Sequence, residues 1–76
     1  MTGRLPVLRP RRVIRALERA GFSIDHVTGS HYVLYHPTKP ERRVTVAYHN
    51  RDLKPKTLRS IIRQAGLTVE EFINLL

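Results

Sequence analysis

The chain has no cysteine, so neither a disulfide framework nor a cysteine-ligated zinc site can hold it together. That absence suits a reducing compartment. No apolar run approaches the roughly 20 residues that a membrane-spanning helix needs, and no membrane association is expected. Met1 to Arg12 carries Arg4, Arg9, Arg11 and Arg12 but no apolar segment, which is not the pattern of a secretory signal. The expected address is the cytoplasm. Also missing are a closely spaced His, Asp or Glu ligand set and a Gly-rich phosphate loop, so no metal and no small-molecule cofactor is expected.

Acidic residues are scarce as well. Six Asp and Glu stand against fourteen Lys and Arg, a formal net charge of +8 on 76 residues. A field of that sign attracts polyanions. Lys39, Lys54 and Lys56 are the only lysines; the other cations are arginines, whose planar fork suits phosphate oxygens better than a point ammonium does. No helix pairs a strong apolar face with an all-basic one, so RNA or DNA is favoured over an anionic membrane. A chain this short buries only about 60% of its unfolded surface, which makes one domain without a deep enclosed pocket.

Residues 1 to 9 lack periodicity and read as a loose basic arm, broken by Pro6 and Pro10. Residues 10 to 76 read as a single domain. From Pro10 the pattern turns helical, with Val13, Ile14, Leu17 and Ala20 on one side, Arg11, Arg12, Arg15 and Arg19 on the other, and Gly21 as the stop. An arginine-rich helix face is ordinarily solvated surface. Phe22 to Val27 predicts a first strand, and Thr28-Gly29 the turn out of it.

Gly29-Ser30-His31-Tyr32-Val33-Leu34-Tyr35-His36-Pro37 organises the rest. A turn glycine opens it, β-branched and aromatic residues extend it, and a proline closes it. If Tyr32 and Leu34 point into the core, the period of two sends His31, Val33 and Tyr35 to the opposite face. His36 would then point inward, where a packing role suits it. Asp25 and His26 read as surface residues. Pro37 to Glu41 reads as a loop, and Arg42 to Tyr48 as a third strand with Val44, Val46 and Tyr48 on one face. Three strands joined by short connections make an antiparallel meander.

After a polar connection from His49 to Lys54, a second helix is expected from Pro55 to Ala65, with Leu58, Ile61, Ile62 and Ala65 as its stripe and Gly66 as its stop. Thr68-Val69-Glu70-Glu71 fits a capping box ahead of a short last helix. Glu70 and Glu71 suit the positive end of that helix dipole, which is sufficient reason for them. The expected architecture is α+β, in the order α-β-β-β-α with a short extra C-terminal helix. The helices cover one face of a three-stranded antiparallel sheet.

In order and spacing, three groups of residues resemble the HicA (YcfA-type) toxin family over nearly the whole chain from about Val13. They are Gly29-Ser30-His31 opening an apolar strand, Val44-Thr45-Val46 followed by His49, and Leu53-Lys54-Pro55-Lys56-Thr57-Leu58-Arg59-Ser60-Ile61-Ile62-Arg63-Gln64-Ala65-Gly66-Leu67. The resemblance implies a fold like that of double-stranded-RNA-binding domains, an mRNA interferase activity, and inhibition by a HicB-type antitoxin. The family's active histidine maps onto His31. Two positions depart from the family pattern: Ala47 stands where many members have proline, and Thr28 where a basic residue is common.

Cleaving RNA without a metal uses the 2′-hydroxyl as nucleophile. It needs a base for that proton, an acid for the leaving 5′-oxygen, and donors for the phosphorane charge. The imidazole side chain, with an ordinary pKa near 6.5, serves as either base or acid. His31 is the expected catalytic group. Arg43, Lys54, Lys56 and Arg59 are the nearest phosphate-binding candidates, with Lys54 and Lys56 beside the amide donors that open the second long helix. His49 is either a loop residue or the second acid or base, and Ser30 either orients the phosphate or finishes the turn. Tyr35 stacks a base or, more commonly for such a residue, covers the sheet.

Two other functions use the same residues. A non-catalytic RNA-binding module would hold structured RNA by shape and phosphate contacts. A protein-interaction subunit would associate with RNA almost independently of salt.

Overall fold

The computed structural model describes residues 5 to 76. Residues 1 to 4 of the expected arm lie outside them. Along the chain run α1 (Pro10–Arg19), β1 (Ser23–Thr28), β2 (His31–His36), β3 (Lys39–Ala47), α2 (Pro55–Gln64) and α3 (Val69–Ile73). The strands form one antiparallel sheet in the order β1-β2-β3. This is the α+β architecture and the α-β-β-β-α order with an extra helix that the sequence predicts.

The helices form where local chemistry directs. A proline sits in the first turn of both α1 and α2, where its missing N–H is not needed. The capping box of α3 is complete: Thr68 Oγ1 accepts from the Glu71 amide at 3.0 Å, and a Glu71 carboxylate oxygen accepts from the Thr68 amide at 2.8 Å. Val13, Ile14, Leu17, Leu58, Ile61 and Ile62 meet Leu34, Val44, Val46 and Phe72 in a single core. Fully burying a side chain of this size contributes about 1.5–3 kcal/mol. Leu8 also lies in that core, and its carbonyl accepts from the Leu53 amide at 2.8 Å. The packed domain therefore takes in Leu8, two residues before Pro10.

Both limits of β1 and β3 differ from expectation: β1 ends at Thr28 rather than Val27, β3 ends at Ala47 rather than Tyr48, and both begin elsewhere. Phe22 is buried just outside β1, which begins at Ser23. β3 begins at Lys39, so the expected loop from Pro37 to Glu41 shrinks to the turn Pro37-Thr38. Pro40 is tolerated there because β3 is an edge strand, where a residue without an N–H need not break a ladder.

Both long helices pack on β3. Leu34, Val44 and Val46 are buried beneath them, while His31, Arg43 and Thr45 are exposed on the other side. The core reaches β1 only weakly, and Ile24 and Val27 there are 40% and 49% exposed. Among the described residues, no helix is long and apolar enough to cross a membrane.

Candidate functional site

His31 owes its position to a two-residue hairpin turn. Thr28 pairs with His31 across it, and Gly29 turns the chain with φ +57°. A Cβ at Gly29 would meet nothing within 4 Å, so the glycine is there for its backbone conformation rather than for space. On its other side His31 pairs with Ala47 of β3. The imidazole thus stands exposed between two short side chains, and among the described residues it makes no side-chain hydrogen bond or ion pair. Val33 and Tyr35, half-buried, continue the same face.

The far end of that face is arranged differently. Between Ile24 and His26 the β1–β2 register shifts, leaving Asp25 out of the ladder. Such a bulge re-aims side chains. Here Asp25 Oδ2 lies 2.8 Å from His26 Nδ1 and 3.5 Å from Arg43 Nη1. The hydrogen bond to His26, then the contact and charge of Arg43, hold the Asp25 carboxyl below its ordinary range despite partial desolvation. Asp25 and His26 are surface residues, as expected, but with Arg43 they form a cluster. Arg43 pairs with Tyr35, four residues along β2 from His31. At about 3.3 Å per residue that is roughly 13 Å.

The hairpin end gathers other predicted residues. The Tyr48 amide donates to the Ser30 carbonyl at 2.6 Å, so the chain stays beside the turn past the end of β3 and brings His49 to the same end as His31. His49 is exposed. Lys54 is the N-cap of α2 and Lys56 lies in its first turn. With Arg59 they are exposed and belong to the covered layer rather than to the open face. His36 takes the packing role expected of it: its ring meets Phe22 edge-on at 5.1 Å and its Nδ1 lies 3.0 Å from Thr38 Oγ1. A Cβ at Gly21 would lie 2.9 Å from His36 Nε2.

A groove at the hairpin end also escapes the sequence. Arg9, Pro10, Arg11, Tyr48, His49 and Asn50 line an open groove of about 460 Å³ at the hairpin end of the sheet. Arg9 is fixed there, donating from Nη1 to Asn50 Oδ1 at 2.6 Å and from Nε to Asp52 Oδ1 at 3.3 Å. These partners lie more than forty residues from it in sequence, and no local pattern announces them. The available signal was an arginine just before a helix-opening proline, together with a polar Asn50-Arg51-Asp52 connection rich in acceptors. Among the described residues no three His, Asp or Glu side chains group as metal ligands.

A family model described as the HicA toxin of bacterial toxin-antitoxin systems matches residues 10–67. None of the curated proteins matches the chain.

Proposed function

The chain belongs to the HicA toxin family, and from that membership we propose that it is an endoribonuclease that cuts messenger RNA without a metal ion, with His31 as its catalytic residue. The observation that carries this reading is the exposed His31 imidazole, without a side-chain partner among the described residues, at the entrance of β2 on the sheet face that the helices leave open.

In the proposed reaction the 2′-oxygen loses its proton to a base and attacks the neighbouring phosphorus. The bond to the 5′-oxygen breaks, that oxygen gains a proton, and a 2′,3′-cyclic phosphate remains. His31 is the base or the acid of this exchange, a role worth about 10²–10⁴ in rate. His49, carried to the same end by the Tyr48–Ser30 hydrogen bond, is the other proton-transfer group in this scheme, and Ser30 orients the phosphate. Lys54, Lys56 and Arg59 draw in the RNA backbone. Arg43, some 13 Å along β2 by strand spacing, takes a phosphate further along the strand.

The proposed inhibitor is a HicB-type antitoxin, an acidic protein that covers His31 and opposes the +8 charge. Messenger RNA as substrate places the protein in the cytoplasm.

Growth after induced expression tests the reading. The wild-type chain should arrest growth and leave cleaved RNA, and His31→Ala should do neither while still binding RNA. Arrest and cleavage by the His31→Ala form would remove His31 from the chemistry. Arrest without cleavage by either form would point to a binding module.

A further inference from the structure

We infer that the groove between the start of α1 and the segment after β3 is a subsite for one nucleotide of single-stranded RNA flanking the cleaved bond. The inference rests on RNA being the substrate. Three independent features support it.

The first is an aromatic platform. Tyr48 is 37% exposed, and its ring leans on Tyr32 with centroids 4.9 Å apart and planes tilted by 31°. Tyr32 braces the ring, and Tyr48 lines the groove. A braced, accessible aromatic ring is what an unpaired base stacks upon, and a duplex offers no such base.

The second is a fixed donor. Arg9 makes two side-chain hydrogen bonds, through Nη1 and Nε, and a guanidinium has five N–H groups, so three stay available in a fork whose orientation Asn50 and Asp52 have already set. Prior fixing of this kind lowers the ordering cost of gripping a phosphate. Arg11 and His49 line the same groove. A carboxylate from an acidic protein would also meet these cations, but it has no use for the tyrosine face. The combination favours a nucleotide.

The third is position. His31 is paired with Ala47, and His49 follows two residues later. Pairing distance and strand rise put the His31 and His49 backbones roughly 12 Å apart at most. RNA held at His31 on the open face therefore reaches the groove by passing the end of the sheet. The volume of about 460 Å³ falls within the usual range of small-ligand clefts.

The test is binding of a short unstructured RNA to the full chain carrying His31→Ala, followed by fluorescence anisotropy over a salt series, with the RNA checked afterwards for cleavage. Adding Tyr48→Leu should weaken binding about fivefold or more, whereas Tyr48→Phe, which keeps the ring, should stay within about twofold. Arg9→Gln should lower the slope of log affinity against log salt by up to about 0.7, the value of one single-strand phosphate contact, with Asp52 opposing part of its charge, and Arg15→Gln on exposed α1 surface should lower it less.

Undiminished binding by a folded Tyr48→Leu protein would overturn the subsite, as would equal slope changes for Arg9→Gln and Arg15→Gln. If Tyr48→Leu does not fold, the arginine pair decides. Cleavage of the RNA by the His31→Ala protein would count against the catalytic assignment alone and leave the subsite standing.

Discussion

At one end of the uncovered sheet face His26 and Arg43 close on Asp25; at the other, His31 stands between Thr28 and Ala47 with no side-chain partner among the described residues. Both ends offer an exposed histidine within a strongly basic chain. At the Asp25 end, ring nitrogen and guanidinium are already engaged with a carboxylate, and a ligand must compete for them. At the His31 end, the turn and the short neighbours keep space around a ring whose nitrogens are not spent. What separates the two histidines is therefore what their neighbours leave available, not exposure or local charge.

The largest difference should appear in cleavage. His31→Ala should lower the rate by about 10²–10⁴, and His26→Ala, as an ordinary surface change, should stay within about twofold. Single-turnover cleavage of one labelled RNA measures both, and equal losses would erase the distinction. Next comes the covered face beneath the Asp25 end. Leu34 is fully buried, and Leu34→Ala should cost about 2–5 kcal/mol in urea denaturation while cleavage per folded molecule changes little.

Smaller effects separate the cations. Lys56→Gln should reduce the salt slope of RNA binding by about 0.7, the single-strand value per phosphate. Arg43→Gln should reduce it less, because Asp25 already opposes that guanidinium.

Asp25→Asn should give the smallest change, present at neutral pH and fading in acid. The folded carboxyl titrates below its ordinary value, so its contribution is present above the unfolded pKa and is lost as pH falls through the folded one. Between pH 7 and pH 3 the wild type should therefore lose slightly more of its urea midpoint than Asp25→Asn does. An identical pH dependence for the two would show that the cluster has no stabilising role.

Local signals made most of the fold legible. Pro10 and Gly21 bracket α1, Thr68 and Glu71 cap α3, and the alternation from His31 to Tyr35 separates the two sheet faces without any knowledge of what covers them. His31 was readable for the same reason, since its exposure follows from strand period and a turn glycine. Three things were not readable. β3 starts three residues before the expected Arg42 because an edge strand accepts Pro40, which a local rule treats as a break. The bulge at Asp25 depends on pairing with β2 rather than on its own residues. The bonds Arg9 makes to Asn50 and Asp52, and Arg43 to Asp25, join segments distant in sequence, so the groove beside Tyr48 and the clamp at the far end emerge only from the folded chain.

Chemical rescue tests the role of the His31 ring most directly. The His31→Ala protein is mixed with a labelled RNA in buffers of rising imidazole concentration, and cleavage at the wild-type sites is followed. A proton-transfer role for His31 predicts a large loss of rate that free imidazole partly restores in a concentration-dependent way, with 2′,3′-cyclic phosphate ends on the products. Wild-type cleavage by the His31→Ala protein without added imidazole would contradict it.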